Sequence, residues 1–204
     1  IFVILILLSL FILISAISYV DAVSNNIADS VFRLHVIANS DSKEDQELKL
    51  KVRDELLSYM NIISKDSTSK QEAMQIVNEH KEEFTQIAKK VIKENGYNYT
   101  VNVQIGKADF PTKYYGDITL PAGTYDALKV QIGEAKGQNW WCVMFPPLCF
   151  VDVSTGIVPD NSKQELKQSL DNEEYDLISK TDNHEISFKF KIVELFQNWR
   201  LGNK

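Results

Sequence analysis

Ser30-Val31-Phe32-Arg33-Leu34-His35-Val36-Ile37, followed by Asn39-Ser40-Asp41-Ser42, holds the change of period from which the fold is read. Phe32, Leu34 and Val36 alternate with Arg33 and His35, the two-residue period of a strand with one apolar face and one wet or partner-facing side. Asn39 to Ser42 breaks that strand and opens a helix. Asp41 or Ser42 supplies the cap, and Glu44 and Asp45 sit where the helix dipole favours negative charge. Beyond it Leu48, Val52, Leu56, Met60 and Ile63 recur at three- and four-residue spacing, the stripe of an amphipathic helix.

Downstream, Ser64 to Thr68 reads as a loop and Ser69-Lys70-Gln71-Glu72 as a capping box. It opens a second long helix with Ala73, Ile76, Val77, Phe84, Ile87, Ala88, Val91 and Ile92 on its buried side, stopped by Asn95-Gly96. Tyr99, Val101, Val103 and Ile105 return to alternation. An irregular connection from Phe110 to Pro121 is expected, then a strand from Thr124 to Ile132. Trp140 to Phe145 and Leu148 to Val153 read as extended arms around Pro146-Pro147. A capping box at Ser162 to Glu165 starts a shorter helix, and a late strand is expected through Ile186, Phe188 and Phe190, with a short amphipathic end at Val193 to Trp199. Helices cluster early and strands lie in the middle without regular βα alternation. The class implied is α+β, with a mainly antiparallel sheet, two long helices near the front and a shorter C-terminal one.

Upstream, Ile1 to Val20 carries no charged residue, and Asp21 is the first acid. Twenty helical residues span about 30 Å, the thickness of a bilayer's hydrocarbon core. Residues 1–22 therefore read as a signal peptide or as an N-terminal membrane anchor. Val20-Asp21-Ala22 offers small residues before a cut after Ala22, while the length of the run favours an anchor. Val23 to Asp29 reads as a polar spacer and residues 30–204 as one exported domain. The chain of 204 residues has 22 Lys and Arg against 28 Asp and Glu, a formal charge of −6 that argues against nucleic-acid binding.

Chemistry concentrates between Gly133 and Asp152, which hold both cysteines and two of the three tryptophans. In an exported chain Cys142 and Cys149 form a candidate disulfide across the Pro-Pro turn; two buried thiols or a reactive thiol are the alternatives. A thiol nucleophile needs a base, and His35 on the first strand is the candidate, giving an exported Cys/His hydrolase as a second reading. Three scattered histidines and two cysteines make no zinc spacing, and no phosphate loop occurs, so neither metal nor cofactor is expected. Asn139, Trp140, Trp141, Pro146 and Pro147 suit a partner surface of aromatic anchors around a stiff turn, with Arg33 and His35 beside them. A structural envelope protein held by its N-terminal helix is a third reading.

Phe32 to Asp41, Asp45-Gln46, Leu48 to Asp54, Leu120 to Tyr125 and Gly133 to Asp152 closely resemble the stage II sporulation protein R family of endospore-forming bacteria. The resemblance runs from Phe32 to Asp152 in order and spacing, and is loose after Thr155. It implies a signalling protein exported from the forespore into the space between the septal membranes. There it would activate a membrane-embedded aspartic protease of the mother cell, which processes a sigma-factor precursor. The resemblance supplies no catalytic residues.

Overall fold

The computed structural model describes residues 2–149 and 158–179. Twelve elements follow in order: α1 (Phe2–Ser30), β1 (Phe32–Ile37), α2 (Lys43–Ile63), α3 (Lys70–Glu79), α4 (Lys81–Glu94), β2 (Val101–Phe110), β3 (Lys113–Tyr115), β4 (Ile118–Leu120), β5 (Gly123–Ile132), β6 (Asn139–Phe145), α5 (Asp160–Ser169) and α6 (Asn172–Ser179). The main sheet has the order β2-β5-β1-β6, and β3-β4 form a separate hairpin. β1 pairs in parallel with β5, while β5 with β2 and β1 with β6 are antiparallel. The architecture is α+β with mainly antiparallel pairing.

Alternation along the strands divides the core in two. Phe32, Leu34, Val36, Leu128, Val130, Ile132 and Cys142 face α2, α3 and α4. Tyr125, Ala127, Val143 and Phe110 face the other way, against Ile27, Ala28 and Val31, the β3-β4 hairpin, and Leu166, Leu170 and Ile178 of the last two helices. β1 is therefore covered on both faces, and all six of its residues are buried. The expectation of a wet or partner-facing side is corrected: Arg33 and His35 lie inside, because this strand is central and each face carries its own layer.

Several local expectations also change. The stretch 23–29, expected as a spacer, is the end of α1, with Ile27 and Ala28 in the core. Asn26 donates to Glu174 (2.8 Å), Ser30 to the Ser169 carbonyl (3.0 Å), and Lys70 to the Ala28 carbonyl (3.2 Å). These bonds fix the last turns of α1 to three other elements. The second long helix is two, divided at His80, whose backbone leaves helical geometry and whose Nδ1 lies 2.8 Å from the Tyr59 hydroxyl. The connection after Phe110 contains the β3-β4 hairpin. Ser162 caps nothing; it lies inside α5, which begins at Asp160, and donates to the Pro147 carbonyl at 2.8 Å. A reciprocal cap occurs instead at α6, where Glu174 N–H donates to Asp171 Oδ1 and Asp171 N–H to Glu174 Oε2.

Among the described residues no helix offers a span long and apolar enough to cross a membrane. The side chains of Leu13, Ala16, Ile17, Val20 and Asp21 are outside the description, and the uncharged run from Ile1 to Val20 stands as a property of the sequence. The expected arm Leu148 to Val153 beyond Cys149, the late strand at Ile186 to Phe190 and the segment Val193 to Trp199 also lie outside the described residues.

Candidate functional site

The two family-like segments, about a hundred positions apart in the chain, meet at the C-terminal ends of β1 and β5. Gly137 N–H donates to the Ala38 carbonyl (3.0 Å) and Lys136 N–H to the Asn39 carbonyl (3.1 Å). Asn39 Oδ1 accepts from Glu134 N–H (2.9 Å), and Asp41 Oδ1 accepts from Gln138 N–H (2.7 Å). From α2, the buried Lys49 ammonium donates to the Gln138 carbonyl (3.0 Å). Asp45 accepts from Asn39 Nδ2 (2.8 Å) and Ser40 Oγ (2.6 Å), and these hydrogen bonds hold its carboxyl below the ordinary aspartate range despite the opposing cost of burial. Ser42, not Asp41, caps α2, accepting from Asp45 N–H. Asp41 is left to hold the facing loop.

Glycine is required twice in this clamp. At Gly137 a Cβ would lie 2.5 Å from the Ser40 carbonyl carbon. Gly133 has φ +58° and packs against the Asn39 side chain. The clamp leaves Glu134, Lys136, Gln138 and Asn139 exposed as a mixed-charge rim.

Below the rim lies an aromatic group on the face of the sheet opposite α2–α4. His35 stacks on Trp141 (centroids 3.7 Å apart), and its Nε2 lies 2.6 Å from Asn139 Oδ1. Burial, reinforced by Lys129 and Arg33 and only partly offset by the Asn139 bond, pushes the His35 pKa down to about 4. The imidazole is therefore neutral at pH 7. One layer deeper, Arg33 is fully buried with its guanidinium 4.0 Å from the Phe110 ring centroid and 4.5 Å from that of Tyr125. It donates to the Tyr115 hydroxyl at 2.6 Å, while its Nε and Nη1 have no hydrogen-bond partner among the described residues. Burial raises the phenols of Tyr115 and Tyr125 despite the adjacent cation.

The sequence-derived contact residues divide accordingly. Asn139 is exposed; Trp140, Trp141 and Pro147 are half-buried. Pro146, Arg33 and His35 are buried and cannot present a surface, which removes them from the contact set. The two tryptophans point to opposite faces: Trp141 lies on His35, and Trp140 lies under the Arg53 guanidinium at 4.1 Å. Ala22 is exposed on α1. Cys142 and Cys149 are bonded to each other, with Cα atoms 5.3 Å apart, inside the usual range. The proposed Cys/His pair does not assemble. Cys142 is paired with Leu34 across β1-β6 and faces α2–α4, whereas His35 is paired with Trp141 and faces the other side. Among the described residues no group of acids, histidines and cysteines is arranged to hold a metal ion.

The residues that build this pole are those a family model matches. The model of stage II sporulation protein R covers residues 28–155. The chain belongs to the stage II sporulation protein R family. Stage II sporulation protein R of Bacillus subtilis (strain 168) is 43% identical over 130 residues, 64% of this chain and 58% of that protein. The chain thus spans less than two thirds of this relative's length. No solved structure matches. Membership of the stage II sporulation protein R family places the role of the chain in sporulation. The matched range takes in both halves of the clamp, all strands of the main sheet and Ile27's neighbours Ala28 to Val31, and ends before α5.

Four polar residues close together in sequence take two roles: Arg33 and His35 lie in the buried cage, and Asn39 and Asp41 build the clamp. Asp45, Lys49, Phe110, Tyr115 and Tyr125 were missed. Gly133 and Gly137 were the available signal, but after a strand they say only that the chain turns, not what it turns against.

Proposed function

We propose that this chain is an exported signalling protein of sporulation that activates a membrane-embedded aspartic protease by docking and performs no bond-breaking itself. The protease then processes the precursor of the mother-cell sigma factor. The observation that carries the reading is the clamp: the two family segments spend their polar groups on each other and present one rigid, mixed-charge rim of Glu134, Lys136, Gln138 and Asn139. A rigid rim binds without first ordering a loop, which lowers the entropic cost of association. The uncharged run Ile1 to Val20 supports export into the space between the septal membranes, as a cleaved leader or a retained anchor.

Activation by docking requires that the domain bind the active state of the protease more tightly than the inactive one. Moving a two-state equilibrium from 1:99 to 99:1 takes about 5.5 kcal/mol of differential affinity. The test is reconstitution of the exported domain with the protease and its precursor in one membrane. Glu134→Arg combined with Gln138→Arg turns the net-neutral rim wholly basic without touching the clamp's backbone bonds. Precursor processing is expected to fall to background while the thermal transition stays in place. Normal processing by the stable double variant refutes the rim as the docking surface.

A further inference from the structure

At the other edge of the sheet, β2 is the outermost strand, paired with β5 from Val101↔Ile132 to Phe110↔Gly123 without a register shift. Among the described residues nothing pairs with its outer edge. Soluble proteins commonly block such edges with proline, bulges or charged side chains, lysine above all. β2 has no proline and no bulge, and its two charges, Lys107 and Asp109, lie in its C-terminal half.

A groove of about 290 Å³ opens over the β2–β5 ladder next to this edge, lined by Gly106, Lys107 and Ala108 of β2, Ala127 and Lys129 of β5 and Lys81 at the start of α4, among others. Gly106 has no positive φ, and a Cβ there would meet no atom within 4 Å. Neither the backbone nor packing within the described residues asks for glycine. With Ala127 opposite it in the ladder, Gly106 leaves a flat floor that a second backbone can approach. Lys107 is engaged with Asp126 (3.1 Å) and Asp29 (3.8 Å). Lys81 and Lys129 lie within 4 Å of no carboxylate among the described residues. On a chain of net charge −6 this groove is a local excess of positive charge.

We infer that the outer edge of β2 takes an extended acidic segment of a partner protein as a fifth strand. Main-chain pairing runs along Val101–Phe110, and acidic side chains of the segment meet Lys81 and Lys129. Strand addition draws affinity from backbone pairing and specificity from the flanking groove. An anionic lipid surface would use the lysines but has no use for an open ladder or a flat floor. The inference is independent of the docking rim at the clamp.

The experiment uses the full chain and a fluorescent decapeptide of alternating Val and Glu, with a Val-Lys decapeptide and anionic phospholipid vesicles as controls. Binding of the Val-Glu peptide by anisotropy is expected, with slowed hydrogen exchange at β2 amides. Affinity should drop about tenfold or more in Lys81→Glu/Lys129→Glu. Gly106→Val, which fills open space and leaves the fold intact, should weaken binding as well. Equal binding of the Val-Lys peptide, unchanged exchange on β2, or binding to the vesicles and not the peptide overturns the inference.

Discussion

Replacing Gly137 by Ala tests whether the clamp holds the two family segments together. A Cβ at this position runs into the Ser40 carbonyl, and the nearest side chain is the Ala38 Cβ at 3.0 Å. Ser40 cannot yield easily: its carbonyl accepts from Gln46 Nε2 (2.8 Å), and its hydroxyl donates to Asp45 at 2.6 Å. The loop must retreat instead, breaking the Gly137→Ala38 and Lys136→Asn39 bonds and straining Gln138→Asp41. Two lost hydrogen bonds at about 1 kcal/mol each, plus about 1–2 kcal/mol of overpacking, give a destabilisation of roughly 3–4 kcal/mol. In a folded part of this size that lowers Tm by roughly 6–16 °C. Circular dichroism melts and urea titrations of the exported domain read this directly, with Gly106→Ala as the control expected to keep stability or raise it by up to about 1 kcal/mol. A Gly137→Ala variant as stable as the control would show that the clamp does not constrain the pole, and the rigid-rim argument would fail with it.

Removing α1 up to Ser30 should unfold the domain, whereas a chain beginning at Val23 should fold. The difference is the burial of Ile27 and Ala28 and the bonds from Asn26, Ala28 and Ser30, of order 4 kcal/mol or more together; limited proteolysis of the two fragments decides it. Tyr115→Phe should cost about 1.5–3 kcal/mol in urea unfolding, because it leaves the Arg33 guanidinium with one fewer acceptor in a buried cage. An unchanged midpoint would mean that Arg33 finds its partner elsewhere. His35 has a folded-state pKa of about 4, below its unfolded value of 6.5, so the folded state resists protonation. Its contribution is complete above pH 6.5 and is lost as pH falls towards 4, about 3 kcal/mol in all. His35→Phe should flatten the stability profile between pH 6.5 and 4, and an identical slope in both proteins would refute the assignment.

The sequence alone determined a helix opening after Asp41 or Ser42 and carrying its apolar stripe to Ile63, and the β5 strand up to Ile132; the structure chose Ser42 as the cap. Each is local: a cap, an apolar stripe of fixed period or an alternation is written within a few residues of where it acts. Family membership was equally legible, because the segments around Asn39 and Gly133 keep their residues in order. Tertiary structure decided what those segments do. Arg33 and His35 read as the wet side of a strand, but period-2 alternation only states that two faces differ, never that one meets water. Their burial follows from the position of β1 between β5 and β6 and from the layer that α1, the hairpin and α5–α6 lay over them. Residues 23–29 looked like a spacer because they are polar and short of apolar stripe, yet Ile27 and Ala28 need only one packed side to join the core. The separation of Cys142 from His35 is likewise a matter of register. One residue's step along β6 moves a side chain through the sheet, and nothing but the β1-β6 pairing says which face each occupies.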